Sequence, residues 1–446
     1  MNFYVKVILL SNSEQQHQNS SSVKKKGQSL DATKQKQLKT AEDIIIKSFS
    51  IVSSIYEKKA LIDRLVDIFG KRNQLPPNQN DPELSILVTL ATIMNEKVQH
   101  KPETLTSVYN QILSIKQPAL FALLAEKACK LDLHQITIDS ASKAIELMPN
   151  PSNKDEKYHM ALARFYRGLA FLKIIQPDLQ EFSCQDKLRS DSAADFLRAA
   201  VFFTDAKSTE NAKTAMSYFI STISVGENYP KFRELLSDLL VEAISISRKI
   251  VIGDDLKVRL YRIYLLVLID RKDFVTCRKT IKSAITTLNK SVHCDIWDLN
   301  LIVTFNADCE KTQQPLLDEM LRVKQLGDST YQSKLWTFVA DLATDQNIQR
   351  TALNKALDVL KKDDFELKFQ ANMNYAHWLF DNDFSWEEIE KAVSSAEKAI
   401  VDDEAQPERA LEHRFEVVAF QLTATPSFEV FDQARDMVDN LGTSLW

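Results

Sequence analysis

Residues 118–149 read PALFALLAEKACKLDLHQITIDSASKAIELMP, and this stretch decides the fold class. Phe121, Leu124, Ala125 and Ala128 recur at intervals of three and four, the period of one helical face. After the short joint around Leu131–Leu133, Ala141 and Ala144 lie on a second segment of the same period, which Pro149 ends. Alanine on both segments lets two helix backbones approach closely. The stretch is therefore a helical hairpin, whose remaining apolar face needs further helices to cover it.

Two further windows repeat the pattern. Residues 261–289, YRIYLLVLIDRKDFVTCRKTIKSAITTLN, carry Tyr261, Tyr264 and Leu268, then Cys277, Ile281 and Ala284; residues 374–400, NYAHWLFDNDFSWEEIEKAVSSAEKAI, carry Ala376, then Ala392, Ala396 and Ala399. The three windows resemble tetratricopeptide repeats. Ala125 and Ala376 stand at that family's small-residue position, Leu265 is a departure from it, and Pro149 matches its terminal proline. The joint of the third window reads about four residues longer than the family pattern.

Composition points the same way. Only seven of 446 residues are glycine, against roughly 7% in average proteins. Barrels, sandwiches and phosphate-cradling loops use glycine for positive φ angles, whereas long helices with short polar joints need few. The joints fall at Gln117–Pro118, Pro149–Pro151, Pro177, Tyr229–Pro230, Gly253–Asp254, Gly327–Asp328 and Gln406–Pro407, with helical periodicity between them and no convincing strand. Asp81, Pro82 and Glu83 form a helix start. Ser385 and Glu388 form a capping box, with Phe384 and Ile389 as its hydrophobic staple. The expected fold is all-α: a tetratricopeptide-like solenoid of helical hairpins, a continuous superhelix with a concave surface. Residues 1–40 are expected to be a flexible polar segment, 41–117 a helical region of uncertain repeat type, and 118–446 the solenoid.

Read in order, DFLRAAVFFTDA, the window from Tyr261, and residues 335–400 also resemble the cilia- and flagella-associated protein 46 family. Trp336, the Ala352–Leu353–x–x–Ala356 helix and Tyr375–Ala376–x–Trp378–Leu379 carry most of that resemblance, which spans about 118–400. It implies a tetratricopeptide-containing component of the axonemal central apparatus, a cytoskeletal scaffold for protein–protein interaction that supports motility of the cilium or flagellum. Its partners would be other subunits of a central-apparatus projection. Members of that family are far longer, so the chain would correspond to their N-terminal helical region. Central-apparatus protein 54, another long helical-repeat protein, is the neighbouring resemblance. The alternative is a cytosolic tetratricopeptide-type adaptor that binds peptides or assembles a complex. Chaperone-binding domains of that type clamp a terminal carboxylate with lysine and asparagine, but the corresponding positions hold Ala122 and Glu126, then Arg262 and Leu266.

Charge and chemistry narrow the function classes. A formal net charge of −5 offers no general attraction to nucleic acid or anionic membrane. The run Lys24–Lys26 reads as a solvated surface. Met1–Leu10 is apolar but lacks a basic start and a cleavage site, so it is not read as an export signal. Five cysteines with no CxxC spacing fit a reducing cytoplasm. Phe69–Gly70–Lys71 lacks the rest of a phosphate loop. His293 and Cys294, with Cys309 fifteen residues on, are the nearest approach to a metal cluster, and they lack a second close ligand pair. The acidic pairs Asp254–Asp255, Asp363–Asp364 and Glu387–Glu388, and Asp402–Glu404, sit at helix starts or joints, where they favour the dipole. Trp297, Trp336, Trp378 and Trp386 read as core first and interface anchors second, and Trp446 as an exposed contact. No catalytic, cofactor-binding or metal-ligating residue is assigned, no small-molecule substrate is expected, and the protein reads as a non-enzyme.

Overall fold

The computed structural model describes residues 39–49, 51–71, 81–95, 98, 100–289, 293–323, 328–361, 363–402 and 407–444. Lys24–Lys26, Gly327, Asp403, Glu404 and Trp446 lie outside them, as does the side chain of Cys294. Among the described residues there is no strand. The helices are 39–49 (α1), Ile55–Lys71 (α2), Pro82–Thr92 (α3), Lys101–Ile115 (α4), Pro118–Lys130 (α5), His134–Leu147 (α6), Lys154–Lys173 (α7), Phe182–Asp205 (α8) and Thr209–Ile223 (α9). They continue as Pro230–Ser247 (α10), Asp254–Asp270 (α11), Phe274–Thr287 (α12), Cys294–Asp308 (α13), Gln314–Val323 (α14), Ser329–Leu342 (α15) and Gln346–Asp358 (α16). The last four are Phe365–Asp381 (α17), Trp386–Asp402 (α18), Pro407–Ala424 (α19) and Phe428–Ser444 (α20). None of them is long and apolar enough to cross a membrane. Helix is already formed at residue 39, two residues before the start read at Ala41.

Every joint read from proline, glycine and polar residues separates two helices, so the punctuation of the sequence is the punctuation of the fold. Asp81 caps α3, its Oδ1 accepting from the Leu84 N–H at 2.8 Å, with Pro82 in the first turn. Most consecutive helices pack directly against each other, most extensively α7 with α8, α8 with α9, α17 with α18 and α5 with α6. The chain forms two compact units, one running to Val225 and including Asp238–Ile252, the other comprising Gly226–Ser237 and the chain from Gly253. Each is an all-α stack of helical hairpins.

Four hairpins share one turn. Asp132, Lys207, Lys272 and Asp383 follow α5, α8, α11 and α17, and each holds a positive φ, between 55° and 58°. In each, the next residue donates its N–H to the carbonyl five residues back: Leu133 to Ala128 at 2.9 Å, Ser208 to Phe203 at 2.8 Å, Asp273 to Leu268 at 2.9 Å and Phe384 to Leu379 at 3.0 Å. This bond satisfies a carbonyl that the helix end would leave unpaired and reverses the chain within three or four residues. Seven residues before the turn stand Ala125, Ala200, Leu265 and Ala376, all fully buried. The positions read as the small-residue site are thus in structural register, and α8/α9 is a further copy that the periodicity had not separated out. The joint of the third window holds four residues, only one more than its three counterparts.

The shared turn corrects the account of the missing glycines. These connections do use positive φ, and charged residues supply it at a cost of about 1–2 kcal/mol each. Gly168 answers a different need. It lies inside α7, where an added Cβ would stand 3.0–3.2 Å from the ring of Phe196 on α8, and its carbonyl accepts from Ser192 Oγ at 2.8 Å.

Ion pairs with one buried member, Asp195 in the first unit and Arg233 in the second, fix neighbouring helices against one another. In the first unit Asp195 of α8 accepts from Arg167 Nε at 2.6 Å and Nη2 at 2.8 Å, and from Arg164 Nη1 at 3.0 Å, both arginines lying on α7. Arg167 also reaches Ser142 Oγ of α6 at 3.3 Å. In the second unit Arg233 of α10 binds Asp270 of α11 through Nε at 2.8 Å and Nη2 at 3.0 Å. Its Nη1 caps the carbonyls of Gly226 and Glu227.

Two stability outcomes are expected from chemical denaturation monitored by circular dichroism. Lys272→Gly should stabilise the second unit by about 1 kcal/mol by relieving the positive φ, while Lys272→Ala should leave it within about 0.5 kcal/mol. Gly168→Val should destabilise the first unit by roughly 3 kcal/mol, because the fully buried Phe196 ring has nowhere to move.

Candidate functional site

A cavity of about 340 Å³ lies in the first unit, bounded by α2, α5, α7, α8 and α9. Helical spacing builds it. Tyr158, Leu162, Phe165 and Tyr166 form one stripe of α7, Tyr56, Lys59, Ala60 and Asp63 one stripe of α2, and Asn211 and Thr214 are a turn apart on α9. Leu123 and Glu126 come from α5 and Phe203 from α8. The Tyr158 ring meets Tyr56 edge-on at 5.2 Å between centroids and Phe203 at 5.6 Å. Below this wall, Ser54 Oγ hydrogen-bonds to Asp155 and ties the start of α2 to α7.

The polar side of the cavity is organised by two carboxylates. Asp63 takes the ammonium of Lys59 at 2.9 Å; Glu126, itself largely buried, takes that of Lys130 at 2.6 Å. Burial acts to lower the Lys59 pKa, but the hydrogen bond and charge of Asp63, with Glu126 behind it, outweigh burial and hold it above its usual value. Lys127, on the adjoining part of α5, is held below the usual value by burial. Burial first, and then the Glu126 charge, raise the hydroxyls of Tyr158 and Tyr166. Both tyrosines are consequently neutral hydrogen-bonding groups at physiological pH. A second depression, around Glu366 and His413, has a volume of only about 10 Å³ and holds no more than a water.

The residues singled out in the sequence are dispersed. Glu126 lines the cavity, whereas Ala122 is buried beside it. Arg262 is spent on Glu227 at 3.0 Å and Asp298 at 2.8 Å in the second unit. His293 is buried, and its Nε2 donates to the Leu288 carbonyl at 2.9 Å. Among the described residues no group of three or more histidine, cysteine or acidic side chains could hold a metal ion. Burial pushes the thiols of Cys129 and Cys277 up to about 11, so both are protonated and poorly nucleophilic at neutral pH. Trp336 is buried, and Trp297 and Trp378 pack on the same core. Trp378 donates to Gln349 Oε1 at 2.9 Å, and Trp386 lies at the surface. Ser385 Oγ bonds to the Glu388 carboxylate at 3.2 Å, Ile389 is buried, and Phe384 packs on the same core. A full capping box forms instead at Asn153 and Glu156, whose N-x-x-E spacing went unread.

No family model and no curated protein matches the chain. The geometry of the cavity and the repeated hairpin therefore carry the functional argument.

Behind the aromatic wall lies His159, almost wholly buried. Its Nδ1 faces the Asp155 carbonyl at 2.8 Å and so carries the proton, which leaves Nε2 buried with no hydrogen-bond partner among the described residues. Burial depresses its pKa. As pH falls, the unfolded chain binds the proton first, so stability present above the ordinary histidine pKa of about 6.5 is lost as pH drops toward the folded value. Urea midpoints should fall between about pH 7.5 and about pH 5.5, and His159→Asn should lose less over that interval.

Proposed function

We propose that the protein is a non-enzymatic scaffold, a helical-repeat subunit that holds other proteins in a ciliary or flagellar assembly. The observation that carries the scaffold reading is the repeated hairpin with its common turn. A stack of such hairpins presents extended helix faces, and a fold of this kind works by surface complementarity without turnover. The assignment to a projection of the axonemal central apparatus, and hence to motility, comes from the pattern of Trp336, Ala352–Leu353–x–x–Ala356 and Tyr375–Ala376–x–Trp378–Leu379. The first two elements share one core of the second unit, with Tyr375 and Trp378 packed against it.

Surface chemistry agrees with a binding role. Phe428 and Phe431, one turn apart on α20, are 91% and 60% exposed, and Val438 on the same helix is 55% exposed. The peptide-binding adaptor is the second reading, and the aromatic cavity of the first unit is what favours it. The two readings differ in where the protein resides. A central-apparatus subunit should stay with detergent-washed axonemes and disappear from axonemes that lack the central pair, as read by immunoblotting. Recovery solely in the soluble cytosolic fraction would overturn the axonemal reading and leave the adaptor.

A further inference from the structure

We infer that the cavity of the first unit is a receptor for a basic side chain, arginine or lysine, presented by a partner protein. This deepens the scaffold reading and rests on it only for the statement that the partner is a protein. Three observations carry the assignment. First, the ionisable lining is one positive group, Lys59, against two negative groups, Asp63 and Glu126. Both carboxylates hold a lysine of the chain, but Lys130, the partner of Glu126, does not line the cavity and is the more exposed of that pair, so a cation entering the cavity competes with it for Glu126.

Second, the walls are aromatic. The rings of Tyr56, Tyr158 and Phe203 line it and meet one another edge to face, and aromatic rings of this kind attract a cation placed against them. A cation with an apolar stem satisfies both the carboxylate and the rings. A phosphate or a terminal carboxylate would meet Glu126 and Asp63 unfavourably. Third, the chain itself seats a cation there. Lys59 lines the cavity, and its ammonium is held by Asp63 at 2.9 Å. The volume, about 340 Å³, is at the small end of ligand pockets and suits a side chain better than a nucleotide. The half-exposed Tyr56 and the exposed Thr214 form an open mouth through which a segment of another chain can insert one residue.

The test uses the full chain and a phage-displayed library of random octapeptides. Selection should enrich arginine or lysine at one fixed position, and a synthetic peptide from that selection should bind measurably in a calorimetric titration. Glu126→Gln should weaken that peptide about ten-fold, whereas Lys59→Gln, which frees Asp63, should tighten it about three-fold. A merely structural role for these residues would not give opposite signs. Far-UV circular dichroism and melting temperature establish that both variants are folded. Should Glu126→Gln prove unfolded, Tyr158→Phe and Lys59→Gln supply the comparison, with Lys59→Gln still required to tighten binding. Enrichment of acidic or purely apolar peptides, no enrichment at all, or unchanged affinity in Glu126→Gln would overturn the inference. If selection fails while the protein still partitions with axonemes, the receptor falls and the scaffold stands. If basic peptides are selected but the protein is wholly cytosolic, the receptor stands and the axonemal reading falls.

Discussion

Asp132, Lys207, Lys272 and Asp383 hold the left-handed backbone conformation on which the hairpins depend. Once that residue is fixed and the following N–H is bonded five residues back, the direction of the second helix is set within one or two residues of the end of the first. The return helix then passes close to the first, and the side chain seven residues before the turn lies fully buried in that packing. Alanine meets this requirement at Ala125, Ala200 and Ala376. Leu265 meets it at α11, where the neighbouring helix carries Cys277, Ile281 and Ala284 as its buried stripe. A turn conformation and a buried side chain seven residues before it are thus two halves of one constraint.

That constraint explains what could be read from sequence and what could not. Apolar periodicity and proline-containing joints located the helices well, because burial and the missing proline N–H act within a few residues of chain. The shared turn left no comparable mark. Its key residue is aspartate twice and lysine twice, types that also occupy ordinary exposed helix positions. The α8/α9 hairpin is not visible in the sequence for this reason, although its AKS joint has the same length as LDL and RKD. The scarcity of glycine correctly indicated helices, but the reason was incomplete: positive φ is present and is borne by side chains that pay a conformational penalty. Capping was legible wherever a short motif suffices, at Asp81 and in retrospect at Asn153, and only partly at Ser385, whose Glu388 partner is shared with Arg350 at 2.6 Å.

Ion pairs added a second layer that sequence does not reveal. Arg167 and Asp195 are 28 residues apart, and Arg233 and Asp270 are 37 apart. Neither separation is a motif. Burying one member of such a pair gives little net stability, since desolvation offsets most of the attraction, yet leaving that member alone is costly. Their effect is to penalise any slip of one helix along another: a slipped α8 would leave Asp195 buried without Arg164 and Arg167. The alanine contacts are tolerant of small slides because they are flat and apolar. The arginine–carboxylate pairs are not, so they define a register that close packing alone would leave loose.

The cavity follows from both layers. With α7 and α8 held by Asp195 and by the approach at Gly168, the Tyr158, Leu162, Phe165 and Tyr166 stripe is presented as a fixed wall. A helix from outside the repeat pattern, α2, then lays Tyr56 and Lys59 against it. Tyr158 read in isolation is one more aromatic residue at helical spacing, and Glu126 one more surface acid beside lysines. Only the return of α2 across α5 and α7, a contact spanning about a hundred residues and anchored by Ser54 on Asp155, converts them into opposite sides of one space. The site could not have been found in any window short enough to display a motif, because its two halves belong to different windows. The repeat supplies a rigid wall and Glu126, and a segment outside the repeat adds Lys59, Asp63 and one lip of the mouth, Tyr56.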